Sequence, residues 1–151
     1  MKEAIIQTDA DVVAGMEALS LICPRMKAAY VETGPLPLRL KPDGFAQLLN
    51  AIIGQQVSIA SAAAIWGRME AAGMVTVAAC AQASDDDLRD LGLSRQKIRY
   101  TQELARAGID FDALRQMPNA QVIKTLTAVP GIGPWTAEVY VMFSLGRSDV
   151  F

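Results

Sequence analysis

The chain has 151 residues, of which 52% are hydrophobic and 20% charged, with a formal net charge of −2 and no histidine. This composition indicates one globular domain with a buried core, and the lack of histidine excludes Ser-His-Asp and Cys-His nucleophiles and histidine-containing zinc motifs. No apolar run approaches the ~20 residues of a membrane helix and no basic N-terminal segment is present, so we expect a cytoplasmic protein without a membrane partner.

The first third of the chain predicts three helices. Thr8 is expected to cap the first helix and Pro24 to start the second, and a proline-containing connector follows at residues 34–38. Asp43 is expected to cap a third helix with a strong apolar stripe. One more turn of that stripe would reach Gln56, so either the helix has ended there or the amide is paired, because an unpaired buried amide costs about 1–3 kcal/mol.

Short capped helices are predicted through the middle of the chain. Ser58 is expected to cap a helix that carries Trp66 into the core, and Thr76 and Ser84 to cap two shorter ones. The three aspartates at 85–87 favour the positive end of a helix, which we prefer to a metal site because their side chains point in different directions. The two cysteines lack a C-x-x-C spacing, which favours buried thiols over redox or metal roles.

The next helix begins with an unusual cluster of positive charge at residues 95–100, Arg-Gln-Lys-Ile-Arg-Tyr. Basic residues oppose the dipole at a helix start, so the cluster is either a solvated face or a phosphate contact. Asp110 and Asn119 are expected to cap two further helices. Because no segment of useful length alternates as a strand does, the sequence predicts an all-α multi-helix bundle.

The segment that organises the chain is residues 129–138, Val-Pro-Gly-Ile-Gly-Pro-Trp-Thr-Ala-Glu. Gly131 and Gly133 are expected to take positive φ in a tight hairpin, and Pro134 suits the first position of a helix. That helix is apolar nearly all round, so we expect it to be buried. The hairpin is either an ordinary turn or an anion site that binds phosphate through backbone amides, a small footprint compatible with the acidic composition.

This segment resembles the helix-hairpin-helix motif of the DNA glycosylase superfamily, specifically its alkylbase branch, the 3-methyladenine DNA glycosylases of type II. The resemblance continues at residues 51–58, Ala-Ile-Ile-Gly-Gln-Gln-Val-Ser, and more weakly at residues 91–97. It spans about residues 35–151. It implies a single helical glycosylase domain over residues 1–151 and a protein that is a monomer when full length.

The resemblance also implies a reaction. Such enzymes flip an alkylated purine such as 3-methyladenine out of duplex DNA and hydrolyse its N-glycosidic bond. Trp135 stands where bifunctional relatives carry a Schiff-base lysine, so the likeness implies a monofunctional enzyme. Trp135 would then form a wall of the base pocket, with a plain core role as the alternative. The alkylbase relative has a second pocket aromatic at the position of Val139, and Tyr140 is one residue away from it.

The DNA contacts implied by the resemblance fall into three groups. The wedge that fills the gap left by the flipped base is Gln55 and Gln56. The phosphate-binding residues are Gly131, Ile132, Gly133 and Thr136. The backbone carbonyls that would hold a monovalent Na⁺ or K⁺ ion are those of Thr127, Val129 and Ile132. No other cofactor is implied.

No catalytic residue is assigned within the chain. The family places its catalytic aspartate a few residues beyond the position of Phe151, so we expect the domain to be incomplete at its C-terminal end and do not give Asp149 that role. Two rival classes stay open, a non-catalytic helix-hairpin-helix module that binds the DNA backbone and a helical interaction domain without nucleic acid.

Overall fold

The fold consists of ten α-helices in residues 4–150, the part of the chain that this computed structural model describes. Their bounds are α1 Asp9–Ile22, α2 Pro24–Thr33, α3 Phe45–Ile53, α4 Ile59–Ala71, α5 Val77–Gln82, α6 Asp85–Asp90, α7 Arg95–Arg106, α8 Phe111–Leu114, α9 Asn119–Thr127 and α10 Pro134–Phe143. The described residues contain no strand, only an isolated antiparallel bridge between Ile5 and Arg147. The prediction of an all-α bundle is confirmed.

Most of the predicted helix starts are confirmed by their hydrogen bonds. The side chains that accept from the amide three residues on are Thr8, Ser58, Thr76, Ser84 and Asp110. Asp87 completes a capping box, and the hydrogen bonds it receives from Ser84 hold the pKa of its carboxyl below the usual range. Within residues 4–150 no group of three or more His, Cys, Asp or Glu side chains could hold a metal ion, so the aspartate run serves the helix start.

Two of the predicted caps are wrong because a distant partner takes the side chain. The N-cap of α3 is Gly44, while the Asp43 carboxylate pairs with Arg115 at 2.6 Å, Oδ2 to Nε. Asn119 is the first residue of α9 rather than its cap, and its side-chain amide nitrogen lies 3.5 Å from the carbonyl of Asp149. Such contacts are invisible in a local sequence pattern.

The core is built around α3, whose predicted stripe is buried. Its members are Phe45, Leu48, Leu49, Ile52 and Ile53. Helices α4 and α7 pack on α3, α5 packs on α7, and α9 packs on α10. Trp66 is half-buried against this core, and Cys80 is fully buried, which raises the pKa of its thiol to about 11. The thiol of Cys23 is only partly buried.

The expectation that α10 is buried all round is wrong. Only Ala137, Tyr140 and Val141 of this helix are buried, because α9 covers one face and the start of the helix reaches the surface. Trp135 is 77% exposed there. Helices α1 and α2 pack on each other and leave several large apolar side chains in solvent. Among residues 4–150, no helix is both long and apolar enough to cross a membrane.

Candidate nucleic-acid interface

A tight hairpin of residues 128–133 joins α9 to α10. Gly131 has φ +93°, a value that favours glycine, and a Cβ built there would lie 2.4 Å from Cγ of Tyr100. Gly133 has φ −85°, and nothing lies within 4 Å of its Cβ position. The prediction of two positive-φ glycines therefore holds for Gly131 and is wrong for Gly133, which needs no special conformation.

The N-terminus of α10 presents backbone donors. Pro134 occupies the first turn as predicted, and no side chain of residues 4–150 caps the helix. The amides of Trp135 and Thr136 therefore lie at the positive end of the helix dipole without an intrahelical acceptor. The Ile132 amide differs, because it donates to the carbonyl of Val129 at 3.1 Å within the hairpin. An anion at this site would be held by the first turn of α10 more than by Ile132.

A second loop, residues 54–58, here called the Gln-Gln loop, lies beside the hairpin. Helix α3 ends at Ile53, so Gln56 lies beyond the helix. Of the two alternatives that the sequence left open, the one in which the helix has ended before Gln56 is therefore confirmed. Gln56 is exposed with φ +57°, uncommon for a residue other than glycine and typical of functional turns. The Nε2 of Gln55 donates to the carbonyl of Gly131 at 2.9 Å. The structure thus joins two predicted DNA contacts that are 76 residues apart in sequence.

Trp135 stands exposed at the same end of α10. Its 77% exposure excludes the plain core role, and residues 4–150 do not enclose the ring in a pocket. Between α3 and α10, Val139 lines a cavity of about 20 Å³, which has room for about one water molecule and not for a purine. Tyr140 is buried, and its hydroxyl accepts the Gly44 amide at 2.8 Å, so it fixes the start of α3 instead of facing a base.

Sequence reasoning missed the role of Lys97. This side chain is only 8% exposed, and its Nζ donates to the carbonyl of Ile53 at 2.5 Å, where the Gln-Gln loop begins. Burial lowers the pKa of its ammonium group. Neither sequence interpretation, a solvated face or a phosphate contact, holds for it, whereas Arg95 and Arg99 are exposed. Lys97 lies four residues before the buried Thr101 and therefore on the same face of α7. That spacing is the signal that could have indicated its burial.

Comparison with known families shows the superfamily to which the chain belongs. The family described as HhH-GPD superfamily base excision DNA repair protein matches residues 49–151, more than half of the chain. The chain belongs to this superfamily. The matched range contains the Gln-Gln loop, α7 and the hairpin, so the contacts of Gln55 with Gly131 and of Lys97 with Ile53 lie within it.

Relatives of this HhH-GPD protein agree with the resemblance to the alkylbase branch. It is 29% identical over 139 residues to the putative DNA-3-methyladenine glycosylase YfjP of Bacillus subtilis, covering 83% of this chain and 48% of the relative. It is 31% identical over 123 residues to DNA-3-methyladenine glycosylase 2 of Escherichia coli, covering 72% of this chain and 44% of the relative. The chain thus spans about half the length of these curated relatives.

Solved structures show the same fold. The DNA-3-methyladenine glycosidase of Bacillus halodurans superposes with a TM-score of 0.75 at 31% identity, over 100% of this chain and 70% of that one. The 3-methyladenine DNA glycosylase Mag1 of Schizosaccharomyces pombe, in complex with abasic DNA, gives a TM-score of 0.74 at 26% identity, over 90% of this chain and 72% of that one. The predicted helix-hairpin-helix glycosylase fold is confirmed.

Proposed function

We propose that the protein is a monofunctional DNA glycosylase of base excision repair that hydrolyses the N-glycosidic bond of alkylated purines, such as 3-methyladenine, in duplex DNA. The observation that carries the proposal is the hydrogen bond from Gln55 to Gly131, because it sets a protruding loop beside a helix N-terminus with available amides. Such an N-terminus binds a phosphate of the backbone. A loop beside it is in reach of the base stack, which an enzyme acting on a base must open.

The relatives support the alkylated base as substrate. The proteins similar to this chain carry the name DNA-3-methyladenine glycosylase, and Mag1 has been solved with abasic DNA. A purine alkylated at N3 is cationic, so an electron-rich indole can hold it by stacking and cation–π attraction. The exposed Trp135 beside the hairpin suits that role.

The reaction breaks the bond between C1′ and the base nitrogen. The electron pair of that bond leaves with the cationic base, which departs neutral, and a water oxygen bonds to C1′ and releases its proton to solvent. The transition state resembles an oxocarbenium ion. Trp135 has no amine that could form a Schiff base with the sugar, so no strand cleavage follows. No residue of this chain is assigned as the carboxylate that stabilises the sugar cation.

A single-turnover assay tests the proposal. The natural gene product is expected to release 3-methyladenine from methylated duplex DNA, measured by chromatography, without nicking the strand and without a covalent adduct after borohydride reduction. A bifunctional glycosylase that forms a Schiff base serves as the positive control for trapping. An adduct would contradict the monofunctional assignment. Salt-sensitive DNA binding without release would instead indicate the non-catalytic binding module, and no binding would indicate an interaction domain.

We further propose a monovalent cation at the end of α9. The donors would be the backbone carbonyls of Thr127, Val129 and Ile132, of which Val129 already accepts one amide in the hairpin. The carbonyls of Thr127 and Val129 lie at and just beyond the end of α9, where carbonyls lack intrahelical donors and lie at the negative end of the helix dipole. With the Ile132 carbonyl they form a set of uncharged oxygens, which suits Na⁺ or K⁺. A bound cation would brace the hairpin by linking these carbonyls. No other cofactor is part of the proposal.

The cation proposal predicts a specific salt effect on stability. The unfolding temperature, measured by calorimetry, is expected to be higher in KCl or NaCl than in choline chloride at equal ionic strength, because an ion that binds only the folded state stabilises it. Equal unfolding temperatures in the three salts would contradict the site. A cytoplasmic location and a monomeric state stay predictions, and size-exclusion chromatography checks the second.

A further inference from the structure

Helix α7 carries a buried cation to the end of α3. The Nζ of Lys97 donates to the carbonyl of Ile53, the last residue of α3, at 2.5 Å. The last turn of α3 has no basic residue of its own, so Lys97 supplies the charge that favours a helix C-terminus. A lysine is almost never fully buried without a partner. The partner of Lys97 is the carbonyl of the last residue of α3, immediately before the Gln-Gln loop.

The same helix touches the hairpin one turn later. The Tyr100 ring lies against the backbone of Gly131, where the position of an added Cβ would be 2.4 Å from Cγ of the ring. The Nε2 of Gln96 donates to the Tyr100 hydroxyl at 2.9 Å and so fixes the orientation of the ring. Only glycine permits this approach, which makes Gly131 and Tyr100 a matched pair.

Three contacts, joined by the Gln-Gln loop and by helix α7, close a ring. Lys97 holds the end of α3, the Gln-Gln loop follows, Gln55 donates to the Gly131 carbonyl at 2.9 Å, and Gly131 rests on Tyr100. Lys97 and Tyr100 are three residues apart on one helix, about 4.5 Å along its axis at a rise of 1.5 Å per residue. Because a helix does not stretch, α7 sets a fixed spacing between the two loops.

We propose that Lys97 and Tyr100 are positioning residues that hold the Gln-Gln loop in register with the hairpin, so that Gln56 enters the base stack at a set distance from the bound phosphate. The inference rests on the proposed function. It assigns neither residue to chemistry or to direct DNA contact. Loss of the register is expected to impair base flipping and excision while leaving phosphate binding by the hairpin intact.

Lys97→Met tests the inference, since methionine keeps the apolar stem and removes the donor. Expected results are a change of less than 2-fold in Kd for undamaged duplex, a smaller fluorescence rise of 2-aminopurine beside the lesion, and about a 10-fold slower single-turnover release. Lys97→Arg is expected to restore part of the rate. Arg106→Met, an exposed residue at the other end of α7, removes a positive charge as the matched control and is expected to behave as wild type.

A second variant protects the test against misfolding. Gln96 is exposed, so Gln96→Ala is expected to keep the fold while releasing the Tyr100 ring. Base flipping and the release rate are expected to fall while the affinity for undamaged DNA is kept, as for Lys97→Met but to a smaller extent. Hydrogen exchange in the DNA-free protein gives a readout independent of activity. Amides of residues 53–58 are expected to exchange faster in Lys97→Met, while those of α9 keep wild-type rates.

The outcomes separate this inference from the proposed function. If the wild-type protein excises the base, and both variants show the same flipping, excision and hydrogen exchange as wild type, only the register role is overturned. A parallel loss of DNA affinity and excision in both would also overturn it, because it would show general damage to the interface. If wild type releases no base, the proposed function fails, and the exchange of residues 53–58 still decides whether Lys97 orders the loop.

Discussion

Gly131→Ala is expected to destabilise the protein by about 2–6 kcal/mol, the sum of about 1–3 kcal/mol for a side chain at an unfavourable positive φ and about 1–3 kcal/mol for overpacking. The φ of Gly131 is +93°, and the new methyl group would meet the Tyr100 ring at 2.4 Å. Relief requires Tyr100 or the hairpin to move, and either shift also strains the hydrogen bond from Gln55. The midpoint of urea unfolding measures the effect.

Gly133→Ala is the matched control for that prediction. It adds the same methyl group two residues along the same hairpin, at φ −85° and with open space around the Cβ position. Its free energy of unfolding is expected to fall by about 1 kcal/mol or less, because Gly133 is the N-cap of α10 and alanine is a poorer N-cap than glycine. Equal destabilisation by the two substitutions would contradict the assignment of the tight approach to Gly131.

Trp135→Ala is expected to slow the release of 3-methyladenine by about 5- to 150-fold, because stacking of a base on an aromatic ring contributes about 1–3 kcal/mol. The ring is 77% exposed, so its loss removes little packing from the fold. The unfolding midpoint is therefore expected to stay near that of wild type. Single-turnover release and urea unfolding, measured on the same preparation, separate the two effects.

Fluorescence gives Trp135 a direct test. The chain has two tryptophans, and Trp66 is half-buried against the core. In a Trp66→Phe variant the remaining emission comes from Trp135, and methylated duplex DNA is expected to quench it. Trp135→Phe is expected to retain most of the release rate, since it keeps an aromatic face. Unquenched emission together with wild-type release by Trp135→Ala would remove this residue from the base site.

The pattern of the sequence was sufficient where the decisive forces are local. The caps at Thr8 and Ser84 rely on side chains that bond amides three residues away, and the stripe of α3 follows from helical period alone. The prediction failed at Asp43, where an arginine 72 residues away competes for the carboxylate. A cap is a local choice only when no stronger distant partner exists.

The sequence identified the residues of the candidate site but not how they are arranged in space. The motifs at Gln55, Gly131 and Trp135 were read directly from the chain, and all three residues lie within the range that the family model matches. Which face of α10 meets solvent was not readable, because a helix that is apolar all round carries no pattern to distinguish its sides. Packing on α9 and the contact of Tyr140 with the start of α3 decided it, and left Trp135 exposed.

The sequence by itself determined the all-α fold, the tight hairpin and the membership of the glycosylase superfamily, because these depend on period, glycine conformation and motif order. Only the tertiary structure decided that Lys97 is buried against the end of α3 and that Gln55 reaches Gly131. Those contacts join residues 44 and 76 positions apart. The physical reason is that a buried polar group costs free energy without a partner, and the packing of helices determines which partner comes within reach.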